Sequence, residues 1–231
     1  MNRPYITCHM TVSLDGKVTG SFLSSPECED AVDAYYKINR DFQADAFACG
    51  RVTMAESFTG DFYPDLYEYA TIKLDREDFI ADNRTKFFAV SFDRFGRLGW
   101  QSSRIHDSDP GYDNAHIIQV LTEAVPDEYL NYLRLTGISY IFAGEFDIDL
   151  NTALEKLKRH FSIEHLLLEG GSILNGSFER EGLIDELSLV MAPVTGSAED
   201  LPLFDNGISD SFTLVSAEPV GRTAVWLRYK K

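Results

Sequence analysis

The sequence predicts an α/β fold, in which a mostly parallel central sheet is flanked by helices and carries antiparallel C-terminal strands. Two patterns predict this class. Short β-prone stretches alternate with amphipathic helical stretches along most of the chain, as in β-α-β units. From Glu186 onward, two β-rich segments follow each other with no helical pattern between them. Because no repeat and no Pro-, Gly- or Ser-rich linker divides residues 1–231, we expect a single domain.

Each element follows from its own residues. Residues 5–11 are β-prone and lead into an Asp15-Gly16 turn; a Ser-Pro-Glu start then precedes a helical spacing of apolar residues that ends at Phe42. Later strands are predicted at residues 44–50, 86–92, 116–120, 139–143 and 165–168. Later helices are predicted from residue 51, at 126–135, at 149–161 and after the glycine pair 170–171. The C-terminal strands are predicted within 186–194 and 212–229, with a hairpin turn near Gly221, and residues 60–84 show no clear pattern.

Composition and charge exclude several classes of function. The chain has 37 acidic and 21 basic residues, a net charge of −16, which repels nucleic-acid phosphates and anionic membrane surfaces. We therefore expect neither nucleic acid nor a membrane as a partner. A small phosphorylated ligand is still possible, because salt screens distant charges over roughly 8–10 Å while a few local donors hold a phosphate.

The cysteines and histidines point to an intracellular protein without a metal. Cys8, Cys28 and Cys49 are odd in number and form no CxxC pair, so neither a disulfide framework nor a zinc knuckle is indicated. A reducing cytoplasm fits this usage, and no signal-peptide or membrane-span pattern is present. The five histidines show no ligand spacing such as HxxxH, so we expect no metal site.

The first candidate site is the Glu169-Gly170-Gly171 corner, where a buried strand gives way to a helix. Paired glycines let the backbone approach a ligand, and the free N–H groups of a helix start favour a phosphate. Glu169 stands at the carboxyl end of its strand, where open α/β sheets bind ligands. A Gly-Gly turn by itself is more often structural, and a carboxylate there is equally compatible with a solvated turn.

Two further strand ends carry polar residues. Gly50-Arg51-x-Thr53 combines a glycine with a guanidinium suited to a phosphate monoester and a hydroxyl that can donate or cap a helix. The plain alternative is a capped helix with a surface arginine. Lys17, after the Asp15-Gly16 turn, can meet a polar or anionic substrate group, although such a lysine is more often solvated.

These segments together resemble the reductase domain of the riboflavin pathway, the C-terminal domain of bifunctional deaminase-reductases, which has the dihydrofolate-reductase-like fold. The resemblance spans residues 4–193 and is weakest over 60–115. The motifs that carry it are TVSLDGK at 11–17, Gly50-Arg51-x-Thr53, EGGSILNGSF at 169–178, GLIDEL at 182–187 and Ala192-Pro193. The zinc deaminase signature, H-x-E followed by P-C-x-x-C, is absent, which indicates a stand-alone reductase.

The resemblance implies an NADPH-dependent reductase that transfers hydride to a phosphoribosylamino-pyrimidine of riboflavin biosynthesis, of the 5-amino-6-(5-phosphoribosylamino)uracil reductase type, or to a related heterocycle. Lys17 would polarise the acceptor and Glu169 would orient it. The residues implied near the adenosine end and its 2′-phosphate are Gly50, Arg51, Thr53 and Ser57. Those implied around the pyrophosphate are Gly170, Gly171, Ser172, Ile173 and Leu174.

Two other functions stay open from the sequence. A dihydrofolate or pterin reductase of the same fold would need a buried carboxylate on the first helix, for which Asp30 and Asp33 are the candidates. A non-catalytic nucleotide-binding relative is the second alternative, because fold does not establish function. The β-rich C-terminal segment further suggests a homodimer, since exposed sheet edges must be covered.

Overall fold

The computed structural model describes residues 2–60, 62–69 and 73–231. The chain forms two compact units that alternate along the sequence. The first unit is Met1–Pro4 with Asp45–His165, and the second is Tyr5–Ala44 with Leu166–Lys231. The single domain expected over residues 1–231 stays a prediction.

The described residues form nine strands and five α-helices, in the order that the sequence predicts. The strands are β1 (Tyr5–Val12), β2 (Ala46–Gly50), β3 (Phe88–Phe92), β4 (His116–Leu121), β5 (Ser139–Phe142), β6 (His165–Leu168), β7 (Glu186–Met191), β8 (Thr213–Val220) and β9 (Ala224–Lys230). The helices are α1 (Glu29–Phe42), α2 (Arg51–Met54), α3 (Asp127–Thr136), α4 (Leu150–Phe161) and α5 (Ser172–Arg180). A π-helical turn, Ala55–Thr59, continues α2, and 3-10 turns lie at Ser21–Ser24, Pro26–Cys28 and Leu66–Tyr69.

In the first unit the strand order is β5-β4-β3-β2, and each adjacent pair is parallel. All residues of β3, β4 and β5 are buried, as expected for parallel strands covered on both faces. The register brings Gly50, the last residue of β2, beside Phe92, the last residue of β3. The residues that follow these two strands therefore begin at the same carboxyl edge.

In the second unit the strand order is β6-β1-β7-β9-β8. β1 and β7 are parallel, whereas β9 is antiparallel to both β7 and β8, which confirms the predicted antiparallel C-terminal strands. The hairpin turns at Gly221, whose φ of +58° is in the left-handed region that glycine tolerates best. Helix α1 packs its buried face on an apolar cluster that includes Ala31, Ile38, Val190 and Ala192.

None of the helices in the described residues is both long and apolar enough to cross a bilayer.

A hydrogen-bonded histidine lies in the interior of the second unit. The Tyr35 carbonyl accepts from His9 Nε2 at 3.1 Å, which places the ring proton on Nε2. His9 Nδ1 faces both the Ser188 hydroxyl at 3.0 Å, which can donate to it, and the Ser188 carbonyl at 3.2 Å; the hydroxyl also accepts from Trp226 Nε1 at 2.8 Å. The ring also stacks on Tyr35 at 4.4 Å between centroids. Burial lowers the pKa of His9 to about 4, so the neutral form is retained in the fold.

We expect this histidine to make the fold acid-sensitive. In the unfolded chain His9 takes up a proton near its ordinary pKa of 6.5, whereas in the folded chain it does so only near 4. The unfolded state thus binds more protons below pH 6.5, and His9 alone should lower the free energy of unfolding by about 2 kcal/mol between pH 7.5 and pH 5, with a further fall from His116, whose pKa burial also lowers to about 4. Urea unfolding at the two pH values measures this. In His9→Gln the fall in the free energy of unfolding between the two pH values should be smaller than in the wild type. In His106→Gln, which changes an exposed ring, the fall should equal that of the wild type. The same fall in all three proteins would contradict the assignment.

Candidate active site

A buried carboxylate stands at the end of β6. Glu169, only 6% exposed, follows Leu168 directly, and Asn39 Nδ2 of α1 donates to its Oε1 at 2.6 Å. Asn39 is itself 5% exposed. An ionised carboxylate is costly to bury unless it is hydrogen-bonded, so this amide is part of what allows Glu169 to occupy the interior. The sequence analysis did not find Asn39; the available signal was a polar residue beside the core residue Ile38 on the same helix.

Two residues of β1, Cys8 and Met10, lie beside the end of β6. Burial and then the negative charge of Glu169 raise the pKa of the Cys8 thiol, so Cys8 stays neutral beside the carboxylate. Met10, two residues along β1, lies next to Gly170, where a Cβ would come within 3.2 Å of the methionine Cε. The site is thus packed from the β1 side and leaves little tolerance for a larger residue at 170.

The glycine corner joins β6 to α5, as the sequence predicts, and its backbone conformation is unusual. Gly170 has a φ of +92°, which disfavours any other residue, and the Gly170–Gly171 peptide bond is cis. Gly171 is extended and forms the N-cap of α5, with no side-chain cap among the described residues. The N–H groups of the first turn of a helix have no intrahelical acceptors and suit an anion. Ile173, in that turn, is 66% exposed and offers an apolar surface beside them.

Two side chains at the predicted pyrophosphate site are already hydrogen-bonded within the protein. The Ser172 hydroxyl donates to the Pro202 carbonyl, and Asn175 Nδ2 donates to Leu203 at 3.3 Å. Residues 194–208, here called the 194–208 segment, thereby run along α5. Ser172 therefore has its backbone N–H, rather than its hydroxyl, to offer a ligand.

The 194–208 segment also fixes Lys17. Lys17 Nζ donates to the Asp200 carbonyl at 2.8 Å, and a Cβ at Gly196 would lie 2.5 Å from Lys17 Cγ, so the lysine stem crosses a position where only glycine fits. Asp15 accepts from the Ser13 hydroxyl at 2.6 Å and from Gly196 N at 2.8 Å, and these bonds lower the pKa of Asp15. An ammonium group has three N–H donors, and this carbonyl engages one of those of Lys17.

The other predicted residues lie in the first unit. Gly50 is the N-cap of α2, which begins at Arg51, and Thr53 and Ser57 follow on α2 and its π-helical continuation. Asp93 follows β3 at the same edge, is 1% exposed, and accepts from the N–H groups of Arg97 (2.6 Å) and Leu98 (2.9 Å).

Arg51 and Asp93 are electrostatically linked. Burial raises the pKa of Asp93, whereas its backbone hydrogen bonds and the Arg51 charge act to lower it. The guanidinium of Arg51 is therefore close enough to interact with a buried carboxylate that the sequence analysis did not single out. The signal for Asp93 was its place directly after a predicted strand.

The structure thus distributes the predicted site residues over the two units. Lys17, Glu169 and the 170–174 corner belong to the second unit, and Gly50, Arg51, Thr53 and Ser57 belong to the first. That these two groups of residues bind one and the same dinucleotide stays a prediction.

The structure does not provide the carboxylate that the pterin-reductase alternative requires at Asp30 or Asp33. Asp30 accepts from Arg222 N at 2.7 Å and from the Thr223 hydroxyl at 3.3 Å, so it holds the β8–β9 turn. Asp33 is exposed. Neither residue is the buried carboxylate that such a reductase would need on α1. Among the described residues, no group of three or more His, Cys, Asp or Glu side chains is arranged to hold a metal.

Comparison with known proteins settles the family. The model of the RibD C-terminal domain matches residues 111–226, half of the chain. The chain belongs to the RibD C-terminal domain family. This confirms the resemblance that the motifs indicated.

Two relatives of this RibD-family chain carry the same name, 2,5-diamino-6-ribosylamino-4(3H)-pyrimidinone 5′-phosphate reductase. The protein of Methanothermobacter thermautotrophicus is 28% identical over 200 residues, which cover 86% of this chain and 82% of the relative. The protein of Aquifex aeolicus is 32% identical over 93 residues, which cover 40% of this chain. That match spans only 41% of the Aquifex protein's length.

Solved structures confirm the fold of this RibD-family chain. A pyrimidine reductase-like protein from Corynebacterium diphtheriae has a TM-score of 0.71 at 18% identity, covering 99% of this chain and 92% of that one. Acinetobacter baumannii RibD has a TM-score of 0.63 at 19% identity; all of this chain matches 58% of that protein. The Saccharomyces cerevisiae riboflavin biosynthesis reductase Rib7 has a TM-score of 0.63 at 16% identity, covering 100% and 90%. The predicted α/β reductase fold is therefore correct.

We expect Asn39→Asp to destabilise the protein at neutral pH. The substitution keeps the shape of the side chain and replaces the donor at 2.6 Å from Glu169 by a second carboxylate. Two buried carboxylates in contact repel, so the free energy of unfolding at pH 7.5 should fall by at least about 2 kcal/mol. The deficit should shrink at pH 5.5, where the pair can share a proton. Urea unfolding tests this, with Asn151→Asp on the exposed face of α4 as the charge control; equal small effects of both variants would contradict the buried pair.

Proposed function

We propose that this protein is an NADPH-dependent reductase that transfers hydride to a phosphoribosylamino-pyrimidine of riboflavin biosynthesis. The observation that carries this proposal is the alignment of 86% of the chain with a relative named as such a reductase. The geometry supports it, because Glu169 and the 170–174 corner adjoin each other at the end of β6. The three buried, unbridged cysteines are compatible with the reducing cytoplasm that we propose as its location.

Two pyrimidines compete as the substrate. The names of the relatives specify a 2,5-diaminopyrimidinone, which carries an amino group at C2. The uracil form indicated by the sequence carries an oxygen there. We place the diaminopyrimidinone first, because both of the relatives described above carry that name and align with this chain by sequence.

We propose NADPH as the cofactor, because each unit contains groups that are chemically suited to one part of it. The uncapped first turn of α5 offers backbone N–H groups for the pyrophosphate, with the exposed Ile173 as an apolar surface beside them. The Arg51 guanidinium offers a planar fork for the 2′-phosphate. When bound, the cofactor supplies the hydride from C4 of its reduced nicotinamide.

The roles of the protein's own side chains follow from how they are held. Lys17 Nζ is held by the Asp200 carbonyl, and within the described residues no other acceptor is recorded for it, so we propose that it polarises the acceptor atom of the substrate. Glu169, held by Asn39 at the end of β6, is the carboxylate that we propose to orient the heterocycle. As the acceptor carbon gains the hydride, the atom bonded to it gains a proton, and Lys17 is the group we propose to stabilise that change.

The decisive experiment is oxidation of NADPH followed at 340 nm with each pyrimidine and with dihydrofolate. We expect turnover of the diaminopyrimidinone and little or none of dihydrofolate. Lys17→Met should lower kcat by about 100-fold or more, because it keeps the stem and removes the donor. Lys37→Met, at an exposed lysine of α1, is the matched control. Binding of NADPH without oxidation in the presence of either pyrimidine would favour the non-catalytic relative.

Arg51→Ala should reduce the preference for NADPH over NADH. A charge-assisted contact with the 2′-phosphate contributes roughly 1.5–3 kcal/mol, so discrimination should fall by about 10- to 100-fold while NADH kinetics change little. Measuring kcat/KM for both cofactors tests this, and Arg84→Ala, at an exposed arginine of the same unit, is the control. Equal losses for NADPH and NADH would refute a 2′-phosphate contact.

The homodimer stays part of the proposal. β8 is the last strand in the order of the second unit, and Leu214 and Val215 on it are exposed. An edge strand with apolar side chains pairs readily with another chain. We expect a dimer by light scattering at micromolar concentration and a shift toward monomer in Val215→Lys, whereas Leu135→Lys, at an exposed leucine of α3, should leave the mass unchanged. A monomeric wild-type protein would exclude this interface.

A further inference from the structure

The chain contains the dipeptide Asn-Gly twice, at Asn175-Gly176 and at Asn206-Gly207. This dipeptide is chemically labile, because the backbone nitrogen of the glycine can attack the side-chain amide of the asparagine, and glycine has no Cβ to hinder the approach. Asparagine accordingly counts among the heat-labile residues of proteins. The attack needs an accessible asparagine and a backbone that can move, so the fold decides which of the two dipeptides reacts.

The fold protects Asn175-Gly176. Both residues are buried within α5. Asn175 Nδ2 donates to the Leu203 carbonyl at 3.3 Å, and Gly176 packs so closely on Asp205 that a Cβ at 176 would lie 2.0 Å from the Asp205 carbonyl oxygen. Inside a helix, the backbone N–H of Gly176 is also committed to the carbonyl four residues earlier. This dipeptide can therefore react only when α5 opens.

Asn206-Gly207 lies in a turn of the 194–208 segment and is accessible. Both residues are exposed, and the next regular element, β8, begins only at Thr213. Asn206 has a φ of +52°, in the left-handed region that asparagine adopts more readily than most residues. Its Nδ2 donates to Asp205 Oδ2 at 2.8 Å, an exposed contact. Within the described part of the chain, the Gly207 N–H, which must attack, donates to no acceptor.

We propose that Asn206 is a site of spontaneous deamidation. The Gly207 backbone nitrogen loses its proton and bonds to Asn206 Cγ; the Cγ–Nδ2 bond breaks, and the amide nitrogen leaves with that proton as ammonia. The resulting cyclic succinimide then adds water. Opening at Cγ leaves aspartate in an unchanged main chain, whereas opening at the carbonyl carbon of residue 206 leaves isoaspartate, whose main chain runs through Cβ and Cγ. Water is the co-reactant, and no atom is oxidised or reduced.

The modification falls where the 194–208 segment is bonded to α5. Arg180 Nη1 donates to the Asp205 carbonyl at 3.0 Å and to the Asn206 carbonyl at 3.2 Å. Either product places a carboxylate beside Asp205 where an amide donated to it, and isoaspartate also adds a methylene group to the main chain. Deamidation therefore alters the end of the segment that Arg180 holds. The proposal does not depend on the reductase activity, because neither Asn206 nor Gly207 belongs to the candidate active site.

The chain provides its own controls for the test. Folded protein is incubated at pH 8 and 37 °C and digested in acid, which stops the reaction, and mass spectrometry quantifies the peptides that contain residues 83, 175 and 206. Isoaspartate is detected by its methylation with protein isoaspartate methyltransferase. The Asn206 peptide should convert at least about tenfold faster than the Asn175 peptide, because only Asn175 needs local opening of a helix. In urea that unfolds the protein, the two should convert at similar rates.

Asn83 and one variant complete the test. Asn83 is exposed but is followed by Arg84, so its peptide should also convert more slowly than the Asn206 peptide. Asn206→Gly removes the amide and suits the left-handed backbone at this position, so it should abolish most of the isoaspartate label of the folded protein. An Asn206 peptide that stays intact, that converts no faster than either control peptide in folded protein, or an undiminished label in Asn206→Gly would overturn the proposal.

Discussion

The candidate active site depends on keeping one carboxylate in the protein interior. Glu169 lies at the end of β6 beside Cys8 of β1, and Asn39 reaches it from α1 with a hydrogen bond of 2.6 Å. Without such a donor an ionised carboxylate in this position would disfavour the fold. The amide therefore links the placement of α1 to the placement of the acid, and through the adjoining glycines to the start of α5. The Asn39–Glu169 hydrogen bond therefore affects both the packing of α1 and the position of the carboxylate that we propose to face the substrate.

The 194–208 segment is the second organising feature, although it contains no regular element. It bonds to Lys17 on the loop after β1 and to Ser172 and Asn175 on α5. The carbonyls of this segment accept hydrogen bonds from the loop after β1 on one side and from α5 on the other. Hydrogen bonds, rather than burial of apolar side chains, therefore hold its conformation. The two side chains proposed to face the substrate are thus positioned by two different means, an amide for Glu169 and a backbone carbonyl for Lys17.

The sequence predicted the strands and helices well because hydrophobic periodicity is a local signal. The predicted strand at 165–168 matches β6 residue for residue, and the helix at 149–161 differs from α4 by one residue. The glycine corner was also predictable, since a strand, two glycines and a helix follow each other in the chain. The resemblance to the family was predictable in part from the same region, because the ten residues 169–178 form one of its motifs, and the family match over residues 111–226 confirmed it.

The sequence could not supply the contacts that hold the site. Asn39 and Glu169 are 130 residues apart, and Lys17 bonds to a backbone carbonyl 183 residues away, which any residue type can provide. Residues 60–84 gave no pattern because most of the described part is irregular chain fixed by individual contacts, such as the Tyr63 hydroxyl donating to the Gly96 carbonyl at 2.9 Å. These contacts could not be predicted because their two partners are far apart along the chain.

The alternation of the two units along the chain bears on how the protein is synthesised. Nearly all of the first unit is continuous from Asp45 to His165, so its strands can pair while the ribosome is still translating. β1 has no such opportunity: its parallel neighbour β7 begins at Glu186, and bringing them together closes a long loop at an entropic cost. The backbone groups of β1 that pair with β7 therefore stay unpaired until β7 has been translated. The second unit, which holds Lys17 and Glu169, is the last to be completed.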